Sequence, residues 1–400
     1  MTAHERRAGD APGSMRRLSD IGAAVVGTGF IGVVHIDALR RLGVRVHGIV
    51  GSSPARADER ARALGLPPAY PSFEAMLDDR RVDVVHVATP NHLHQAQVGA
   101  ALAAGKHVVC EKPLAMTATE SADLLARATR SGLVNAVNFN VRYYPVCRHL
   151  RQLVRDGELG DVRLVTGHYL QEWLLLETDW NWRVDPASGG NLRAVGDIGS
   201  HWLDLAAFVT GRRVEAVLAD LSTFVPARRR PLRSASTFAG DGPDDAGEAE
   251  TFRVSTEDCA TILLRFAGGA RGALVLSQIS AGHRNDLLLE VNGAAGSAAW
   301  RSERPDRLWL GHRGAPNEVL DRGPDTGAAE ASERGLPAGH VEGFADTFVA
   351  LYRAVYADVA RGARSSAPTY PTFGDGHRAM LVGEAIAASA ADGRWVEVAS

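Results

Sequence analysis

The stretch GAAVVGTGFIG, residues 22–32, constrains this chain more than any other. Its apolar opening reads as a buried strand. Ile31, Val34, Ala38 and Leu42 then fall on one face of a helix that stops at Gly43. Between strand and helix lies G-x-G-x-x-G, in the setting that gives the pattern meaning. Gly27 makes the tight turn, Gly29 lets the backbone approach a pyrophosphate, and Gly32 lets helix and strand pack closely. The first helical turn, with Phe30 and Ile31, offers unpaired N–H groups and a positive dipole end to phosphates.

The alternation continues. Strands are predicted at 44–50, 82–89, 106–110 and 133–139. Helices are predicted from Ser53-Pro54 to near Gly65, over 91–105, and over 118–131 behind a Thr117/Glu120 capping box. This rhythm predicts a doubly wound parallel sheet, a Rossmann dinucleotide-binding domain over 21–145. Beyond residue 160 short strands dominate, at 163–170, 261–266, 272–280 and 286–293. They predict a second lobe, 146–400, built on a large open antiparallel sheet with helices around 191–209 and 341–361 packed on it. The fold class is therefore α/β plus α+β. Residues 1–20 read as a disordered tail, and 226–250 as a mobile loop.

Composition excludes several roles. A net charge of −3 does not suit a nucleic-acid partner. The basic group Arg228, Arg229, Arg230 and Arg233 runs straight into Asp241, Asp244, Asp245, Glu248 and Glu250, and reads as a solvated loop. No apolar run approaches the ~20 residues of a membrane span. Cys110, Cys147 and Cys259 form no disulfide framework, which places the chain in a reducing, cytoplasmic setting.

After the second strand, the acid that usually holds the ribose of NAD is replaced by Gly51-Ser52-Ser53. Ser52, Ser53 and Arg56 are placed to meet a 2′-phosphate, although Arg56 also reads as an ordinary exposed helix charge. The cofactor expectation is NAD(P), with NADP tolerated or preferred. The strand at 106–110 runs into Glu111-Lys112-Pro113. Pro113 biases Lys112 away from helical angles, at the strand end where open α/β sheets bind ligands. Asp197 and His201, four apart, share a helix face, a spacing that suits either acid/base work or structure. Trp180, Asn181, Trp182 and Arg183, with Asn140, Arg142 and Tyr143, combine aromatic faces and hydrogen-bonding groups. They suit a polyol or, equally, a core. His92 and His94 lack accompanying thiols or acids, so no metal site is expected.

GTGFIG, EKP and D-x-x-x-H, in this order, resemble the Gfo/Idh/MocA oxidoreductase family. The likeness runs over roughly residues 21–398, down to PTFGDGHRAM (371–380) and GRWVEV (393–398). It implies that Lys112 touches a reacting hydroxyl beside the nicotinamide, across a Lys-Pro bond that is commonly cis. It implies that His201 accepts the hydroxyl proton, while Asp197 binds substrate or orients His201. Thr89, Pro90, Asn91 and His94 would shape the loop over the cofactor, and Glu111 would support the turn or the nicotinamide ribose. His201 would also contact substrate, with Trp180, Trp182, Arg183, Asn140, Arg142 and Tyr143 around it. The implied activity is oxidation of a ring hydroxyl of a sugar or cyclitol by a homodimer or homotetramer. Redox-neutral chemistry on a retained cofactor, and a non-catalytic sensor, are the alternatives; retention of Lys112, Asp197 and His201 weighs against the sensor.

Overall fold

The computed structural model describes residues 15–232, 248–323, 336, 337 and 339–399. The first lobe runs β1 (Gly22–Val26), α1 (Phe30–Arg41), β2 (Arg45–Val50), α2 (Pro54–Ala63), α3 (Phe73–Asp78), β3 (Val84–Val87), α4 (His94–Ala103), β4 (His107–Cys110), α5 (Ala118–Ser131) and β5 (Asn135–Val137). Its strands lie in the order β2-β1-β3-β4-β5, all parallel. Every residue of β1 is buried, as a central strand covered on both faces requires. The Thr117/Glu120 capping box opens α5, and left-handed Gly132 closes it.

α6 (Pro145–Arg155) carries the chain into the second lobe. There follow β6 (Val162–Leu170), α7 (Pro186–Gly189), α8 (Ser200–Thr210), β7 (Val214–Ser222), β8 (Ala227–Pro231), β9 (Ala249–Arg253), β10 (Cys259–Phe266), β11 (Arg271–Ser277), β12 (Asp286–Gly293), β13 (Ser297–Arg301), β14 (Arg307–Gly311) and β15 (Glu318–Asp321). The chain ends with α9 (Phe344–Arg361), α10 (Phe373–Asp392) and β16 (Val396–Glu397). Nine strands form one sheet, β15-β14-β13-β12-β6-β11-β10-β7-β16. It is antiparallel except where β6 lies parallel to β11. The sheet is therefore mixed, because β6 enters at its centre from the first lobe rather than by a hairpin. Its buried face packs on α6 and α8 through Val165, Leu274, Leu276, Leu289, Trp202 and Trp300.

Three expectations are corrected. Helix α9 packs on the parallel sheet, not on the large one. Phe348, Leu351, Tyr352, Val355 and Tyr356 share a core with Val25, Ile36, Leu39 and Val84. That face of the first lobe needs a second amphipathic helix beside α1, and the chain supplies it from its far end. Residues 15–20 are ordered: Leu18–Asp20 is a short 3₁₀ turn, and Arg16 pairs with Asp83 at 2.9 Å. The remainder of the expected tail, 1–14, lies outside the described residues. Lastly, the ends of the expected loop at 226–250 are the ribbon β8–β9, while 233–247 lie outside the described residues.

That ribbon also overturns the reading of Arg228 as solvated. It is fully buried, pairs with Asp258 at 3.0 Å, and donates to the Leu174 carbonyl at 2.7 Å. Arg193, equally buried, shares the same Asp258 carboxylate. Two distant strands and the loop before α8 are thereby tied together. Among the described residues no helix is long and apolar enough to cross a membrane.

Candidate active site

The glycine turn divides its work unequally. Gly27 has φ +110°, and a Cβ there would stand 2.2 Å from the Ala88 carbonyl oxygen. A Cβ on Gly32 would stand 2.2 Å from the carbonyl oxygen of Gly27. Both positions need glycine for backbone packing. A Cβ on Gly29 would meet nothing within 4 Å. Gly29 is the N-cap of α1 and leaves open space before the first-turn amides of Phe30, Ile31 and Gly32. An opening lined by N–H groups at a helix start fits the pyrophosphate of a dinucleotide. At the end of β2, Ser53 caps α2, its Oγ accepting from the Arg56 amide at 3.4 Å. Ser52 and Arg56 stand exposed beside it.

Two loops of the first lobe face the second. Asn91 donates from Nδ2 to the Gly189 carbonyl at 2.7 Å. His94 is buried, with Nδ1 2.7 Å from the Pro113 carbonyl oxygen and Nε2 2.8 Å from that of Thr89, and the single N–H of the neutral ring donates to one of the two. Thr89 donates its hydroxyl to Gln97 at 2.6 Å. These contacts fix the Thr89-Pro90-Asn91 loop between the EKP turn and the Gly189 carbonyl of the second lobe.

The Lys112–Pro113 peptide is cis. Glu111 is buried and accepts from His35 Nε2 at 3.0 Å, from Asn138 Nδ2, and from the Lys112 amide at 3.2 Å. It is a support of the turn. Burial opposes its ionisation, yet His35, Lys112 and Asn138 together hold it below the usual carboxylate range. Lys112 crosses to the second lobe, its Nζ reaching Asp197 Oδ1 at 2.6 Å and the Asp197 carbonyl at 2.9 Å.

Asp197 lies in a π-turn, Val195–Gly199, that feeds α8. The regular helix expected across Asp197 and His201 is thus widened by one residue, a common feature of functional sites. Gly199 permits it: a Cβ there would lie 2.6 Å from Leu276. Asp197 also receives Arg183 Nε on Oδ1 at 3.1 Å and Gln278 Nε2 on Oδ2 at 3.0 Å. Burial works against its charge, but Arg183 and Lys112 hold it well below the usual carboxylate range. His201 follows one turn on, edge-on to Phe139 at 6.0 Å, with its Nδ1 buried and unpartnered. Burial, with Lys112 adding to it, pushes its proton affinity down to about 3. The carboxylate is bonded to Lys112, Arg183 and Gln278 rather than to the imidazole.

The structure distributes the expected substrate residues unevenly. Arg183 stacks on Trp182 at 4.4 Å and pairs with Asp197. Trp180 instead packs edge-on against Phe252 at 5.0 Å, in a satellite core under β9. Asn140 donates to Thr347 at 2.7 Å, Tyr143 to the Thr369 carbonyl at 3.2 Å, and Arg142 pairs with Asp204 and Asp375. These three thus have partners within the protein, and Arg142 ties the segment before α6 to α8 and α10. Two residues went unread. Gln278 continues the inward phase of Leu274 and Leu276 beyond β11, and His35 shares the buried face of α1 with Ile36 and Leu39. A polar residue in phase with a core stripe was the available signal.

A phosphate-fitting turn opposite a buried lysine–aspartate pair and a neutral imidazole is the architecture of a dinucleotide-dependent oxidoreductase. The comparisons with known proteins agree. The profile of the oxidoreductase family with NAD-binding Rossmann fold matches residues 21–139, and that of the GFO/IDH/MocA C-terminal domain matches 147–299. Levoglucosan dehydrogenase of Pseudarthrobacter phenanthrenivorans is 31% identical over 397 residues, covering 95% of this chain and 99% of that protein. A structure of levoglucosan dehydrogenase with NADH and levoglucosan superposes with a TM-score of 0.84 at 29% identity, covering 95% of this chain and 99% of the other. An inositol dehydrogenase homologue from Azotobacter vinelandii, with NADH and myo-inositol, gives 0.80 at 28% identity, covering 96% and 99%. This chain belongs to the GFO/IDH/MocA family of oxidoreductases.

Proposed function

We propose that this protein is an NAD(P)-dependent dehydrogenase of a ring secondary hydroxyl on a neutral sugar or cyclitol, able to reduce the matching ketone. The observation that carries the reading is the Lys112–Asp197 contact of 2.6 Å across the two lobes, beside His201. Bound nicotinamide supplies the hydride acceptor or donor. Lys112 sets a positive charge where the substrate oxygen becomes an alkoxide, and such preorganised charge acts mainly on the transition state. Asp197, ionised throughout the working range, fixes the ammonium and the Arg183 guanidinium. His201 is uncharged at neutral pH, as the acceptor of a hydroxyl proton must be. Trp182 offers a stacking face to the C–H side of a ring.

A neutral substrate is favoured over a sugar phosphate. The two arginines best placed to meet a phosphate are already paired, Arg183 with Asp197 and Arg142 with Asp204 and Asp375. NADP is accepted alongside NAD, since Gly51-Ser52-Ser53 puts no acid against a 2′-phosphate. The outward face of the large sheet exposes Leu164, Leu263 and Val275, and a homo-oligomer formed through it would cover them. The deciding experiment is a panel of levoglucosan, myo-inositol, aldopentoses and their phosphates with each cofactor, followed by absorbance of the reduced nicotinamide. Accumulation with neutral rings supports the reading. Consumption of substrate without reduced cofactor would sink it in favour of redox-neutral chemistry, as would activity confined to phosphorylated or linear alcohols.

A further inference from the structure

Behind the EKP turn runs a file of buried polar groups that the proposed chemistry does not use. Glu111 Oε1 meets His35 Nε2 at 3.0 Å, His35 Nδ1 meets His86 Nδ1 at 3.0 Å, and His86 Nε2 meets Tyr356 Oη at 2.9 Å. The four side chains come from the EKP turn, α1, β3 and α9. His35, His86 and Tyr356 are completely shielded, and Glu111 nearly so. The rings of Phe348 and Tyr352 close over the two imidazoles. Two Nδ1 atoms at hydrogen-bond distance can share only one proton, so the rings cannot choose their tautomers independently.

We propose that these groups form a one-way hydrogen-bond relay from α9 to the EKP turn, and that His35, His86 and Tyr356 are positioning residues that keep Glu111 a carboxylate beneath Lys112. The direction follows from counting donors. An ionised Glu111 only accepts, so His35 donates from Nε2 and has a lone pair at Nδ1. His86 must then donate from Nδ1, which leaves its Nε2 to accept the hydroxyl proton of Tyr356. Every proton in the file has an acceptor. In the reverse order, the Tyr356 proton would be stranded in the core and His35 would carry both ring protons, adding a buried cation. Burial keeps His86 neutral in either order, so the choice rests on the Tyr356 proton and on His35.

The consequence reaches the reaction centre through charge. The groups facing Glu111 are His35, Lys112 and Asn138, and its field is also felt at Cys110, His94, His201 and Tyr352. A carboxylate at this point raises the proton affinity of His201 against the pull of Lys112. Loss of the His35 donor removes one of the groups that oppose burial at Glu111, so its protonation moves up.

The part of this inference that concerns catalysis rests on the dehydrogenase reading; the direction of the relay does not. Ring 15N NMR of the whole protein at neutral pH reads the direction without any substrate. His86 should appear as the Nδ1–H tautomer, which is the rarer one, and His35 as the Nε2–H tautomer. An Nε2–H signal for His86, or a doubly protonated His35, overturns the relay. With whichever sugar the panel identifies, His35→Leu should move the acidic limb of the kcat/KM profile set by protonation of Glu111 beneath Lys112 up by about one pH unit. His35→Gln, which can still donate, should restore the wild-type limb. A lowered rate with an unmoved limb in His35→Leu reduces these residues to packing and refutes the positioning role.

Discussion

The two walls of the cleft are made of different material. At the glycine gap before α1 the first lobe offers main chain, and from the EKP turn it sends Lys112 across to the other wall. The second lobe offers buried charge. Asp197 gathers Lys112 and Arg183, and Asp258 gathers Arg193 and Arg228. Main chain binds groups that every dinucleotide carries, so a backbone wall can be generic. A wall of fixed charges is selective, and each charge removed leaves its partner stranded.

Four experiments test that contrast. Asp258→Ala should have the largest effect, because it leaves two buried guanidinium groups without their shared carboxylate. Denaturant unfolding should register a loss of about 3–5 kcal/mol. A loss within experimental error would mean that the charged wall is not what holds the second lobe. Lys112→Ala should lower kcat by about 10²-fold, as removal of one transition-state donor does, while leaving cofactor affinity near wild type. Stopped-flow hydride transfer and cofactor titration separate these effects, and unchanged turnover would remove Lys112 from the chemistry.

Protonation tests both walls next. His86 and His94 in the first lobe and His201 in the second are all held below the usual imidazole range, mainly by burial. Between their native values and about 6.5 the unfolded chain binds protons that the native protein does not. Stability should therefore fall as pH drops through about 6.5, each histidine adding up to about 1.4 kcal/mol per pH unit. His201→Gln should remove one proton from the measured slope, and an unaltered slope would place His201 in water rather than in the wall. The smallest effect is expected at the exposed rim. Arg56→Ala should weaken NADP more than NAD, by about 1 kcal/mol or less, as exposed charge pairs do. Equal losses in paired titrations would return Arg56 to the solvent.

The same contrast decides what could be read in advance. The glycine turn, the strand–helix rhythm and the EKP turn are local, and their spacing alone specifies a backbone. Lys112, Asp197 and His201 came with the family resemblance, and the fold brings them together. The partners of Asn140, Arg142 and Tyr143, on α8, α9, α10 and the Thr369 loop, were not legible because they are far along the chain. Arg228 looked solvated because four neighbouring residues are charged or proline, yet Asp258, thirty residues on, draws it inside. Gln278 and His35 followed a legible core phase, but phase alone does not say that a polar residue in it has a partner.

The return of α9 to the first lobe bears on the order in which the molecule is made. The nucleotide-binding sheet emerges from the ribosome complete by Val137, but one face remains bare until Phe348, Leu351, Tyr352 and Val355 arrive. At ordinary elongation rates that interval is on the order of 10–40 s. During it the nascent chain exposes the apolar side of α1 and its strands, a surface that chaperones bind. The lobe encoded first is closed only by a helix from near the end of the chain, so its maturation waits on synthesis of most of the sequence.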